Sequence, residues 1–312
     1  MKALTSKERH EAGALCVITS YFNWAHFQSK RLNYEAFRLH MKQSDISVLT
    51  VECALIGDPF DLIPARDVIQ VRTNSIMWQK ERLLNIALDS LSSDYRFVAW
   101  IDCDVLFQNP RWHLEAVRQM ENVGVIQLFS EVIRLPRCTS PTMIDPTLAR
   151  PGFVSSLRDS VVDHLPATLG HPGFAWAVRR DVIEACNGFY DACIIGGADC
   201  VMAHAWFGDY GAYPVRQIAA GHIESHYQIW AERAHRVVRG SVSSIAGQLL
   251  HLWHGEDLNR IYRDRHKIMS AFGFDPDQDL CLNMCGCWEW SGRKPEMERW
   301  MESYFEGRRE DG

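Results

Sequence analysis

Apolar residues fall in short unbroken blocks, separated by stretches in which they recur every three or four positions. Residues 14–20 (Ala-Leu-Cys-Val-Ile-Thr-Ser) form a first such block, ending in Tyr21-Phe22-Asn23. Residues 47–54 form a second block and residues 68–71 a short third. Unbroken apolar runs bounded by polar residues predict strands covered on both faces, as in a parallel sheet. Between them, residues 32–41 have helical period, with Leu32, Ala36 and Leu39 on one face. Residues 77–88 do the same, with apolar positions 83, 84, 87 and 88 and with Lys80 and Arg82 near the helix start. The next block is Phe97-Val98-Ala99-Trp100-Ile101, which runs into Asp102-Cys103-Asp104 and then Val105-Leu106-Phe107. Alternation of this kind predicts βαβ units: an α/β fold with a mostly parallel, Rossmann-like sheet flanked by helices.

Further on, a helix is predicted over 113–120 and strands over 124–129 and 174–180. Residues 134–171, rich in Pro, Ser, Thr and Arg, read as a long irregular region. A short helix over 180–186 stops at Asn187-Gly188, where a left-handed cap is expected. Gly196-Gly197 is a turn into a helix over 198–206, and 249–254 is a strand or its end. Residues 258–272 are expected as one charged helix with Ile261, Ile268 and Phe272 on one face; within it, 259–267 is basic. The tail, 288–312, is expected to be weakly amphipathic and partly disordered.

Composition adds limits. With 312 residues, 47% hydrophobic and 23% charged, the chain can bury a large core and is not a disordered sequence. A net charge of −6 argues against a surface that grips nucleic acid all over, although a local basic groove is compatible with it. Ten cysteines show one cluster, Cys281, Cys285 and Cys287, with no second pair at zinc-finger spacing. The polar start and the lack of a long apolar window predict neither a signal peptide nor a membrane span; a soluble, cytoplasmic protein is expected.

Four constellations carry candidate chemistry. Asp102 and Asp104 end a buried strand, where paired carboxylates need a cation or strong donors; a hard divalent ion such as Mn²⁺ or Mg²⁺ answers that need, and a solvated turn is the alternative. Gly196-Gly197 lets the backbone pass close to a ligand, and Asp199 at the following helix start suits a general base or, alternatively, a helix cap. His251 and His254 offer two imidazoles to an ion if a turn lies between them. Lys80 and Arg82 oppose a helix dipole and call for an anionic partner such as a phosphate; a solvated face with Glu81 and Asp89 nearby is the alternative. No Gly-x-Ser-x-Gly, Gly-x-x-x-x-Gly-Lys, His-Glu-x-x-His or Gly-x-Gly-x-x-Gly motif competes.

Taken in order, these pieces resemble the GT-A glycosyltransferases, most closely the β-1,4-galactosyltransferase type. Ile101-Asp102-Cys103-Asp104 resembles that family's Asp-x-Asp strand end, and Lys80-Glu81-Arg82-Leu83-Leu84-Asn85 its Arg-x-Lys-Leu-Leu-Asn helix. Residues 173–178, Asn187-Gly188-Phe189 and Ile195-Gly196-Gly197-Ala198-Asp199 follow in the family's order. His251-Leu252-Trp253-His254 falls where the family has Met-x-x-His, and the match spans roughly residues 14–256. The resemblance implies a metal-dependent transfer from a nucleotide sugar, UDP-linked, to an acceptor hydroxyl with inversion. Asp104 would ligate Mn²⁺ (or Mg²⁺) with His254 and His251, and Asp102 would support the metal's water shell or the ribose. Lys80 and Arg82 would face the diphosphate or nucleotide, with Gly196 and Gly197 against the donor. Tyr21 and Asn23 would lie near the base, and Asp199 would deprotonate the acceptor.

Two departures limit the carry-over: Ile195 replaces the family's Trp and Ala198 its Glu, so neither galactose as donor sugar nor N-acetylglucosamine as acceptor follows. The retaining polypeptide N-acetylgalactosaminyltransferases share much of the layout. A single catalytic domain over 1–272 is expected, with a nucleotide-binding half (1–130), an acceptor half (131–272) and a C-terminal extension (273–312). The absence of an anchor points to a bacterial or viral enzyme. The acceptor stays open among a glycan, a protein side chain, a lipid-linked sugar and a modified DNA base. Competing readings are a catalytically silent GT-A-like binding domain and a sugar nucleotidyltransferase.

Overall fold

The computed structural model describes residues 5–158, 170–262 and 264–312. Part of the expected irregular region (159–169) and Arg263 of the expected basic helix lie outside the described residues. The strands are β1 (Leu15–Phe22), β2 (Ser47–Leu55), β3 (Val68–Thr73), β4 (Phe97–Ile101), β5 (Val105–Phe107), β6 (Val125–Gln127), β7 (Glu131–Arg134), β8 (Arg150–Pro151), β9 (Ala175–Arg179), β10 (Val242–Ser244), β11 (Gln248–His251), β12 (Leu280–Leu282) and β13 (Trp288–Trp290). Seven of them make the main sheet, in the order β10-β6-β9-β4-β1-β2-β3. β9 alone runs against the rest: its pairings with β4 and β6 are antiparallel, and the other four neighbour pairings are parallel. The sheet is mostly parallel and flanked by helices, as the alternating pattern predicts.

β4 shows why these blocks are apolar throughout. Val98 and Trp100 point into one core, while Phe97, Ala99 and Ile101 point into the other. On the first side Trp100, Trp176 and Trp206 pack together, with centroids 5.0–6.2 Å apart. Residues Leu15 to Ile18 of β1 pair in register with Phe97 to Trp100 of β4, and the Thr19 hydroxyl donates to the Ile101 carbonyl at 2.7 Å. The two strands therefore end at one edge, where an open α/β sheet presents its ligand crevice. A second sheet, β5-β11-β7-β8, starts from that edge, since β5 begins just after β4 ends.

Three expectations are corrected. The Gln28–Gln43 helix buries Tyr34, Phe37 and Met41, and leaves Leu32 and Leu39 53% and 60% exposed. The aromatic and Met stripe removes more apolar area from water than the leucine stripe, and so it sets the buried face. The stretch 258–272 is not one helix: a 3₁₀ turn, Asp257–Arg260, ends at Ile261 with φ +38°, and a helix resumes at Arg265–Ala271. The break lets Arg260 turn inward and bury its guanidinium against Glu310. The tail is ordered. β12 and β13 form a hairpin, and the Pro295–Glu306 helix buries Met297, Met301, Tyr304 and Phe305 against the main core.

All ten cysteines are free; Cys287 lies buried with its Sγ 3.7 Å from that of Cys53, while Cys281 and Cys285 are exposed. Among the described residues, no helix is long and apolar enough to cross a membrane.

Candidate active site

At the strand ends lies a cleft of about 850 Å³, within the size range of small-molecule sites. Among its lining residues are Asp102, Asp104, Lys80, Asp199, Gly196, Gly197, Tyr21, His251 and His254. Asp104 immediately precedes β5, whose Val105 pairs with His251 of β11, so the sheet register sets His251 beside Asp104. The chain then turns, and Leu252 N–H donates to the Asp104 carbonyl at 2.8 Å, bringing His254 back to the same point. The Nε2 atoms of the two histidines are 2.7 Å apart, and they lie 3.7 Å (His251) and 3.5 Å (His254) from Asp104 Oδ2.

Asp104 Oδ1 is buried without a partner. Burial, and then Asp102 beside it, push the Asp104 carboxyl up to about 7. Burial, followed by the charges of Arg134 (for His251) and Arg260, holds both imidazoles well below their usual range. Neutral imidazoles keep a lone pair for an ion. Two imidazole nitrogens and a carboxylate with an orphaned oxygen fit a divalent cation, and among the described residues this is the group whose ligand atoms converge, within 4.8 Å of one another.

Asp102 is not in that group. Its Oδ1 is 2.6 Å from Lys80 Nζ, which also lies 2.8 Å from Asp199 Oδ2. Lys80 is the first residue of the Lys80–Ser90 helix and is buried. Burial works against its charge, but Asp102, Asp199 and Glu81 outweigh that and raise its pKa well above the ordinary lysine value. Burial raises the Asp102 carboxyl, and Lys80 partly pulls it back.

Asp199 is the second residue of the Ala198–Trp206 helix, and its Oδ1 is buried without a partner. The approach to that helix needs two glycines. Gly196 and Gly197 have φ of +86° and +100°, and a Cβ on Gly197 would meet His266 and Ile218 at 3.2 Å.

Two expected residues stand away from the cleft. Arg82 lies about 200° round the helix from Lys80, since two residues make just over half a turn. Its guanidinium pairs with Asp191 at 2.9 Å, and Asn85 closes that group by donating to Asp191 and to the Phe189 carbonyl. Asn23 Nδ2 donates to Asp61 at 2.8 Å and borders a small neighbouring pocket; Tyr21 shares Asp61 and reaches both spaces.

The cleft also holds residues that the sequence reading did not single out, Lys30, Trp78, His171 and Arg308 among them, beside Arg260, Arg265, His266 and Lys267 of the basic stretch 259–267. His171 stacks on Phe174 at 4.0 Å, and burial holds its pKa at about 4. Its place in His171-Pro172-Gly173, just ahead of β9, was a usable signal. Arg308 offered none.

No protein-family model matches the chain, and no curated protein matches it in sequence. Among solved structures it is similar to the catalytic domain of Drosophila beta1,4galactosyltransferase 7 in complex with xylobiose, with 11% identity over 64% of this chain and 62% of that one and a TM-score of 0.35. A second is glucosyl-3-phosphoglycerate synthase from Mycobacterium tuberculosis in complex with Mn²⁺ and UDP-glucose, with 12% identity over 90% and 88% and a TM-score of 0.43. A third is 4-diphosphocytidyl-2C-methyl-D-erythritol synthase from Anaerococcus prevotii, with 11% identity over 78% and 90% and a TM-score of 0.38. The chain spans 62% of the length of the first of these. Likenesses this distant concern the fold and say nothing of the reaction.

Proposed function

We propose that this chain is a metal-dependent glycosyltransferase that moves a sugar from a nucleoside-diphosphate donor, UDP-linked, to an acceptor hydroxyl with inversion. The carrying observation is one cleft that holds two orphaned carboxylate oxygens with different surroundings. Asp104 Oδ1 belongs to a group of two neutral imidazoles, and Asp199 Oδ1 belongs to a carboxylate fixed through its other oxygen by Lys80. A divalent ion held by Asp104, His251 and His254 would supply neutralisation of the charge that gathers on a departing diphosphate.

The chain's own residues do the rest. Lys80 ties Asp199 to Asp102, so one ammonium sets the distance between the base and the donor end of the site. Asp199 Oδ1, buried and without a partner, has its lone pairs uncommitted and would take the proton of an acceptor hydroxyl. Gly196 and Gly197 bring the backbone to the cleft wall, where Trp78, Arg265, His266 and Ile218 pack against them and leave little room for a Cβ. A silent binding domain has no need for a buried carboxylate oxygen held free of partners, because that atom costs desolvation energy.

The test is a screen of nucleotide sugars for Mn²⁺-dependent hydrolysis, joined to calorimetry with UDP. Wild type is expected to bind UDP only with the ion present and to hydrolyse at least one UDP-sugar. Absence of any metal-dependent UDP binding would sink the reading.

A further inference from the structure

The tail reaches the cleft as well. Arg308 lines it, with a guanidinium nitrogen 2.5 Å from Glu310 Oε1, and the same oxygen accepts from Arg260 Nη2 at 3.0 Å. Lys30 stands in the same cleft, and its ammonium donates to the Phe22 carbonyl at 2.5 Å. Among the described residues, no carboxylate lies within ion-pair distance of Lys30. Three cations thus face Glu310, which pairs with two of them, and Asp104. The Nε atoms of Arg260 and Arg308 and the Oε2 of Glu310 are buried without partners. Even with Asp104 counted beside Glu310, three cations face two carboxylates, and positive charge left over at a buried place calls for an anion.

The surplus has a defined location. Lys30, Arg260 and Glu310 all act electrostatically on Asp104, so the cations sit beside the metal-binding group. We propose that Lys30 and Arg308 form the site for the donor's diphosphate, and that residues 308–311 act as a clasp that delivers Arg308 to it. This rests on the glycosyltransferase reading above. A diphosphate carries the negative charge that the surplus lacks, and a guanidinium binds phosphate oxygens in pairs.

The clasp is fastened on two sides. The Asp311 carboxylate accepts from the backbone N–H groups of Gln28 and Ser29 at 2.9 and 2.7 Å, and the Ser29 hydroxyl donates to the Glu310 carbonyl at 2.8 Å. Lys30 follows Ser29 directly, so the tail and the lysine are placed by the same contacts. On the other side Gly255, next to His254, has φ +102°, and a Cβ there would meet Glu310 Cα at 3.1 Å. The tail is thereby packed against the loop that carries the metal ligand.

The experiment is calorimetric titration of UDP and of inorganic pyrophosphate, with Mn²⁺, into wild type and the variants R308Q, R308K and K30Q. A second titration measures Mn²⁺ alone. R308Q and K30Q are expected to weaken both phosphate ligands by at least about tenfold, as loss of a charge-assisted contact does. R308K should keep most of the affinity, and Mn²⁺ binding without nucleotide should change by less than about threefold, because neither residue belongs to the ion's donor set. UDP binding by R308Q and K30Q at wild-type strength overturns the inference while leaving the functional reading intact. A loss of Mn²⁺ affinity in step with UDP affinity overturns it too, since both residues would then only support the metal group. If R308Q does not fold, K30Q decides alone, because Lys30 holds no ion pair. Failure of wild type to bind either phosphate ligand would remove the functional reading first.

Discussion

Two cations stand two residues apart on one helix and end in opposite kinds of surroundings. Arg82 meets one carboxylate, Asp191, one charge for one, and Asn85 donates to the same oxygen; Arg82 Nε is buried without a partner, and the group lies outside the cleft. Lys80 meets two carboxylates, Asp102 and Asp199, both lining a cleft, and one oxygen of the latter is buried without a partner. The first group is matched in charge, which is what structure needs. The second is unmatched and lines a cleft, a state the fold tolerates only at some cost and a substrate can use. Burial and ion pairing are common to both, so neither marks a site. Charge imbalance at a cavity does.

The contrast is sharpened most by replacing the cleft carboxylates. Asp199→Ala is expected to lower turnover by at least about 10³-fold while UDP binding with Mn²⁺ persists. Asp104→Ala should lower turnover as far and lose metal-dependent UDP binding as well. Calorimetry beside a transfer assay separates the two. Next comes Lys80→Met, which leaves two buried carboxylates without their cation. A fall of about 10²-fold in kcat, with a loss of roughly 3 kcal/mol in stability, is expected from kinetics and urea melts.

Arg82→Met should cost a similar roughly 3 kcal/mol in stability, because Asp191 loses its partner in a buried place, yet leave the kcat of the folded enzyme within about threefold of wild type. If it cuts kcat as deeply as Lys80→Met, the distinction between the groups collapses.

The smallest effect concerns His113, whose ring nitrogens are both buried without partners but face no cleft. Burial, and then Arg111, hold its pKa down to about 4. The folded protein therefore resists charging it: its contribution to stability is complete above the unfolded value near 6.5 and is lost as pH falls from there toward 4. A decline of about 3 kcal/mol from this residue is expected over that window. His113→Leu should flatten it in pH-dependent melts, and an unchanged slope would assign the acid sensitivity to other buried histidines.

Much of this was legible in the sequence, for reasons that differ by residue. β4 and the Ala198–Trp206 helix lie where the apolar blocks place them, since a strand covered on both faces and a helix after Gly-Gly leave local marks. The spacing of His251 and His254 suggested a shared ion, but their convergence on Asp104 was implied only by the resemblance, and its geometry depends on a strand pairing that no local pattern encodes. Lys80 and Arg82 looked equivalent in sequence. Helical rotation separates them, and that rotation was itself computable from the spacing. The tail is the clearest lapse, because Met297, Met301, Tyr304 and Phe305 have helical period and bury as that period demands. Its arrival at the cleft through Arg308 and Glu310 had no sequence signal, because that contact is made across the whole chain.

The pairing of β11 with β5 has a kinetic consequence. The two strands are nearly half the chain apart, and the group of Asp104, His251 and His254 that could hold an ion is complete only once they have met. Contacts so distant in sequence close late, after local helices and hairpins have formed. An ion that recognises only the closed arrangement cannot speed that search; it holds the finished state and slows its opening. Mn²⁺ added during refolding would thus act as a clock hand for the final closure, with its binding signal trailing the recovery of helical content.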